Sequence, residues 1–284
     1  MDFSRPLVMS IVNITPDSFY PKSRNFRPGD ALDAALRAEG EGADIVDFGA
    51  ESTRPGSEYV SAETERSRLI PVLRAFRARS RLPVSVDTRK AQVAREAILE
   101  GAGIINDISA LSDPAMAETA AAGGAALVIM HMRGTPKTMR AIAAENQGRG
   151  DSDIVREVRD FLRNAAEKAA AAGVERKKII VDPGFGFGKT PLENLILLNR
   201  LAETCPPDYP VMVGLSRKSF IGTVTGRETE DRLAGTLAAG AAALSGGADI
   251  LRVHDTAAAR DLVGVIQSLR LSGTEEHGVV PKGI

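Results

Sequence analysis

Eight short apolar stretches run along the chain: Leu7 to Val12, Asp44 to Phe48, Pro83 to Asp87, Gly103 to Asp107, Ala125 to His131, Lys178 to Asp182, Val211 to Leu215 and Asp249 to His254. Most are continuous, as in Leu7-Val8-Met9-Ser10-Ile11-Val12, where a strand with one wet face would alternate. Such runs predict strands buried on both faces. Between them lie segments with helical character: Asp30 to Glu41, Ala62 to Arg79, Lys90 to Gly101, Ala115 to Ala122, Ser152 to Ala172, Leu192 to Thr204, Asp231 to Leu244 and Ala257 to Leu269. Asp30 suits an N-cap, Pro114 a first helical turn, and Gly101 and Gly173 are helix stops.

Strict alternation of strand and helix implies parallel strands. Eight such units predict an α/β fold closed into a (β/α)8 barrel rather than an open sheet. The length of 284 residues fits one barrel domain spanning 1–284, since barrels of this type need roughly 250. Glycine pairs before strands, such as Gly101 with Gly103 and Gly246 with Gly247, mark tight helix-to-strand turns. The tail 272–284 reads as loose.

Composition narrows the function classes. Hydrophobic residues are 43% and charged residues 26%, with a formal net charge of −1. Nothing in that balance points to nucleic acid or an anionic membrane as a partner. The first residues lack a signal-peptide core, and no apolar run approaches the ~18 residues of a membrane span. The lone Cys205 can form neither an intrachain disulfide nor a cysteine zinc cluster. The expected compartment is the cytoplasm.

In barrels of this type the chemistry collects at the C-terminal ends of the strands. Here those ends carry Asn13, the run Glu51-Ser52-Thr53-Arg54-Pro55-Gly56, Asp87, Asn106-Asp107, Met130-His131, Asp182-Pro183-Gly184, Ser216-Arg217-Lys218-Ser219, and Arg252 with His254. Helix capping alone would account for Asp and Asn at such positions, but not for Arg and Lys. Arg54, Arg252 and Lys218 suit phosphate oxygens. Asp87, Asp182 and Asn106 suit the amide and amine edge of a heterocycle. A phosphorylated heterocycle is the ligand these residue types predict.

Two patterns carry less than they first suggest. Pro183-Gly184-Phe185-Gly186-Phe187-Gly188-Lys189-Thr190 has proline where a P-loop needs its first glycine. The histidines His131, His254 and His277 lack metal-site spacing. His131 reads as a core residue and His277 as a solvated tail group.

Eight segments in order resemble dihydropteroate synthases over residues 7 to 270. They are Asn13-Ile14-Thr15-Pro16-Asp17-Ser18-Phe19, Gly49 to Gly56, Ser85 to Thr88, Ile105 to Ser109, Met130 to Lys137, Asp182 to Lys189, Gly214 to Ser219 and Arg252 to Asp255. The resemblance implies condensation of 6-hydroxymethyl-7,8-dihydropterin diphosphate with 4-aminobenzoate, with Mg2+ assisting. It implies a sulfonamide-target enzyme and a homodimer. Asp87, Lys218, Asp17 and Arg252 are the implied catalytic set. Pterin would lie among Asp87, Asn106, Met130, Asp182, Gly214, Lys218 and Arg252. Diphosphate would meet Asn13, Thr53, Arg54, Arg252 and His254, with Asn13 also the metal ligand. Thr53, Pro55, Phe187, Ser216 and Phe19 would border the aminobenzoate. The segments Thr15 to Arg27 and Thr53 to Val60 are the expected lids.

One segment departs from the family pattern. After Phe19 many members continue Ser-Asp-Gly-Gly, whereas this chain has Tyr20-Pro21-Lys22-Ser23-Arg24. The rival readings are a pterin-binding methyltransferase barrel acting on methyltetrahydrofolate, and a pterin-binding protein without activity.

Overall fold

The computed structural model describes residues 3–14, 28–54, 56–147 and 153–272. Eight strands lie among them: β1 (Leu7–Asn13), β2 (Ile45–Gly49), β3 (Val84–Asp87), β4 (Ile104–Asp107), β5 (Ala126–Met130), β6 (Ile179–Asp182), β7 (Met212–Val213) and β8 (Ile250–Val253). They form one parallel sheet in the order β6-β5-β4-β3-β2-β1-β8-β7. A bridge between Val181 and Val211 brings β6 beside the start of β7 and closes the ring. The predicted (β/α)8 barrel is the fold observed.

The first helices around it are α1 (Pro28–Gly40), α2 (Ala62–Arg77), α3 (Ala91–Leu99) and α4 (Met116–Ala122). They are followed by α5 (Met139–Glu145), α6 (Ile154–Ala171), α7 (Pro191–Asn199) and α8 (Leu201–Thr204). The last three are α9 (Ser219–Thr225), α10 (Leu233–Ser245) and α11 (Thr256–Ser272). The predicted helix Leu192 to Thr204 is two helices, because Arg200 leaves helical geometry at φ −116°, ψ 36°. Helices α5 and α9 sit in the loops after β5 and β7 and were not expected. Each is seven residues long, which is too short for an apolar period to register. The failed P-loop pattern ends in a helix start. Thr190 and Glu193 form a reciprocal capping box with Pro191 in the first turn of α7.

Alternation along the strands positions the site. Leu7, Met9, Ile45, Ile104, Ala126, Val128, Ile180, Met212 and Ile250 fill the lower half of the barrel interior. Residues of the other parity, among them Val46, Phe48, Val86, Leu127, Val181 and Leu251, pack beneath the helices. Phe48, for example, meets Phe76 of α2 edge-on at 5.5 Å. Burying each such side chain contributes roughly 1.5–3 kcal/mol. Because side chains repeat every second residue, the inward positions above the apolar layer are Asn13, Asp47, Gly49, Asp87, Asn106, Met130, Asp182, Gly214, Arg252 and His254. The interior therefore changes from apolar to polar partway up.

Candidate active site

The floor of the mouth is an ionic network. Arg252 donates from Nε to Asp47 Oδ2 at 2.7 Å and from Nη2 to Asp87 Oδ2 at 2.8 Å. Asn106 Nδ2 reaches the same Asp47 oxygen at 3.4 Å. Asp47 Oδ1, Asn106 Oδ1 and Ser85 Oγ are buried without a hydrogen-bond partner. Such atoms are costly to leave unmatched, so this floor is set to meet polar groups entering the barrel. Burial raises the pKa of Asp87 to about 7 against the pull of Arg252, and Asp47 adds to the rise.

Asp182 forms the facing wall. One of its oxygens accepts from the Gly184 N–H at 2.7 Å, and burial raises its pKa above the ordinary carboxylate range. Lys218 lies across the backbone of Gly186, with Nζ 4.1 Å above the centre of the Phe187 ring. Burial lowers the pKa of Lys218 to about 8, and the negative charge of Asp182 opposes that fall. Met130 pairs in register with Asp182. A side chain at Gly214 would meet open space. His254, exposed at the rim, engages Ser216 Oγ through Nδ1 at 3.0 Å and through its N–H at 3.3 Å.

Lys218 sets an expected pH dependence. Its positive charge and charge-assisted donation are lost on deprotonation, so kcat/KM should fall as pH rises through about 8. Lys218→Arg keeps its charge to far higher pH and should shift that fall upward, at a lower maximum. A pH–rate profile that stays flat to about pH 10 would remove Lys218 from the donor role.

Lys189, the last cation of the failed P-loop pattern, shapes the wall. Its buried ammonium donates to the carbonyls of Gly184 at 2.7 Å, His131 at 3.2 Å and Phe187 at 3.3 Å. Burial lowers its pKa to about 7. Gly184 has φ +68°, and a Cβ there would fall 1.9 Å from the His131 carbonyl oxygen. Gly184→Ala should therefore cost more than the about 1–3 kcal/mol of backbone strain alone and displace Asp182. A thermal midpoint equal to that of the parent would contradict this.

Asn13, Thr53 and Arg54 occupy the same end of the barrel. The Asn13 Oδ1 lies 3.9 Å from where a Gly49 side chain would begin, and Arg54 is exposed on the rim. The loop carrying Thr53 and Arg54 is fixed at its base. Glu51 accepts from the Val60 N–H at 3.0 Å and from Lys90 at 2.7 Å, and it also binds Arg89. The same loop leans on the loop after β5 through Gly56 N–H to the Pro136 carbonyl at 2.9 Å. His131 points outward, edge-on to Phe161 at 4.8 Å, and is the core residue its setting predicted. Burial lowers its pKa to about 4. Asp17, Phe19, Pro55, the Tyr20–Arg24 segment, His277 and the tail beyond Ser272 lie outside the described residues.

The sequence reading missed Asp47, Ser85 and the pairing of Glu51 with Lys90 and Arg89. Asp47 and Ser85 stand inside apolar runs, not at strand tips. Their signal was parity, since each shares the inward face of a tip residue two places on.

The sequence profile of the pterin binding enzyme family matches residues 9–254. The dihydropteroate synthase of Haemophilus influenzae is 42% identical over 268 residues, covering 94% of this chain and 95% of that protein. The chain belongs to the dihydropteroate synthase family. A solved family member, the Yersinia pestis dihydropteroate synthase with a sulfonamide drug complex, superposes with a TM-score of 0.88 at 38% identity, covering 95% of this chain and 96% of that one. The Xanthomonas albilineans dihydropteroate synthase in complex with 7,8-dihydropteroate superposes at 0.83 with 40% identity, covering 95% of each chain. The family also contains an inactive dihydropteroate synthase 2 of Mycobacterium tuberculosis, 41% identical over 267 residues, covering 94% of this chain and 83% of that one. Membership therefore fixes the scaffold, and activity depends on the residues at the mouth.

Proposed function

We propose that this chain joins 6-hydroxymethyl-7,8-dihydropterin diphosphate to 4-aminobenzoate, giving 7,8-dihydropteroate and diphosphate. The observation that carries this reading is the inward layer of Asp87, Asn106, Asp182, Lys218 and Arg252 around one mouth, with unmatched polar atoms at its floor. Asp182 accepts from the amino and ring N–H groups of the pterin, and Asp87 and Asn106 complete that polar edge. Lys218 donates to a pterin oxygen or ring nitrogen. Met130 and Gly214 line the slot, and Arg252 flanks the ring and reaches towards phosphate. Thr53, Arg54, Asn13 and His254 hold the diphosphate. Phe187, with Thr53 and Ser216, borders the aminobenzoate, and the Ser216 hydroxyl also steadies His254. Asp17, Phe19 and Pro55 complete these sets by resemblance.

The reaction needs no protein nucleophile. The bond from the pterin methylene to the diphosphate oxygen breaks first, and its electron pair leaves with the diphosphate. The electron-rich pterin carries the resulting positive charge. The amine nitrogen of 4-aminobenzoate then forms the C–N bond and gives up a proton to solvent or diphosphate. Cations around the leaving group lower the barrier by meeting charge as it develops. Keeping water from the cation is the task of the loops at the mouth.

No group of three or more His, Cys, Asp or Glu among the described residues forms a metal cage. Asn13 offers one amide oxygen at the mouth, which suits Mg2+, a hard ion that keeps several waters and binds through few protein oxygens plus substrate phosphates. When bound there, Mg2+ would neutralise diphosphate charge.

The test is release of diphosphate from the pterin substrate with Mg2+, with and without 4-aminobenzoate. Release that depends on the amine supports the reading. Pterin binding without release would place the chain with the inactive relatives. Methyl transfer from methyltetrahydrofolate would replace the reading altogether.

We also propose a homodimer and a cytoplasmic location. No helix among the described residues is long and apolar enough to cross a membrane. The dimer reading rests on the resemblance to the family. A monomer by light scattering would remove it.

A further inference from the structure

Two loops at the mouth are bonded to each other residue for residue. Ser216 engages His254, and the next residue, Arg217, engages Asp255. The guanidinium of Arg217 grips both Asp255 oxygens, from Nε at 2.9 Å and from Nη2 at 2.8 Å. Its remaining nitrogen donates to the carbonyls of Thr229 at 3.2 Å and Glu230 at 2.7 Å. The Arg217 backbone is equally fixed, its N–H donating to Thr236 Oγ1 at 3.0 Å and its carbonyl accepting from Arg232 at 3.2 Å.

All of this holds Arg217 at φ +55°, a left-handed conformation that a residue with a side chain rarely adopts. Unfavourable backbone of this kind persists only where its surroundings over-determine it. The reversal sets the direction of the next residue. The Arg217 side chain runs to Asp255 and the Thr229 and Glu230 carbonyls, and the chain then brings Lys218 across Gly186 towards Phe187.

We propose that Arg217 is a positioning residue for the reaction, one that holds Lys218 and His254 in fixed relation by cross-bracing the loops after β7 and β8. The inference rests on the function proposed above. The brace has a second effect. It neutralises Asp255, whose carboxylate would otherwise stand beside His254 and repel a diphosphate. Arginine is required because only its planar fork meets two carboxylate oxygens and two carbonyls together. A lysine at this position cannot span them.

The experiment compares the full-length parent with Arg217→Gly, Arg217→Lys and Asp255→Asn, measuring thermal midpoint, kcat, and KM for each substrate. Glycine accepts φ +55° without strain, so Arg217→Gly removes the brace while easing the backbone. It should raise KM for the pterin diphosphate about tenfold and lower kcat by about thirtyfold or more, with KM for 4-aminobenzoate changed less than about twofold. Arg217→Lys should behave similarly, and Asp255→Asn, which keeps one acceptor oxygen and turns the other position into a donor, should fall between it and the parent.

Rates and pterin KM within about twofold of the parent in Arg217→Gly would overturn the inference. So would activity that falls only in step with the thermal midpoint across the series. If Arg217→Gly does not fold, the same criteria applied to Asp255→Asn decide the matter. A parent enzyme with no amine-dependent release would instead sink the proposed function, which keeps the two failures apart.

Discussion

Replacing Arg252 by methionine is expected to lower stability by about 3–5 kcal/mol and to abolish turnover. Arg252 is the shared partner of Asp47 and Asp87 inside the barrel. Asp47 is fully buried and Asp87 nearly so. Removing the cation leaves two inward carboxylates facing each other in a poorly solvated space, where breaking an ion pair costs far more than forming it gained. The effect should be visible as a lower urea midpoint at unchanged slope. Adding Asp47→Asn to Arg252→Met should recover much of the lost stability and none of the activity. A single variant with the parent's midpoint would mean that the guanidinium does not hold these carboxylates.

Asp182→Ala should give the opposite signature, with activity lost and folding kept. Two hydrogen bonds from pterin N–H groups to a carboxylate, at about 1.5–3 kcal/mol each, amount to roughly a hundredfold to ten-thousandfold in kcat/KM. The folded protein loses little, because burial already disfavours the ionised Asp182. The side-chain bond within the protein that disappears is that to the Gly184 N–H, worth about 1.5–3 kcal/mol, part of it offset by removing a buried carboxylate. Pterin affinity by calorimetry should fall with kcat/KM. Turnover within about tenfold of the parent would mean that the pterin edge is read elsewhere.

The strand tips were legible because a barrel of parallel strands must put its polar ends where the chain leaves the sheet. Asn13, Asp87, Asn106, Asp182 and Arg252 could be picked out on that ground alone. Residues one inward step lower could not. Asp47 sits between Val46 and Phe48, and along the chain it reads as an interruption of a hydrophobic run. Only the register with β1 and β3 shows that it lies between Ile11 and Ser85 on the inward face of the sheet. The role of Lys189 was hidden for a different reason. Its partners are three backbone carbonyls, and side-chain chemistry in the sequence carries no record of them. The brace at Arg217 required a backbone angle, which composition does not encode for a non-glycine residue.

The Arg252 contacts reach back 205 residues to Asp47 and 165 to Asp87. During synthesis the chain emerges from its N-terminus, so the second and third strands exist long before the cation that neutralises them. A chain that stops before β8 lacks the guanidinium that pairs with both carboxylates. Balancing the charge of the site thus falls to the last strand of the barrel, and the first seven strands alone leave it open.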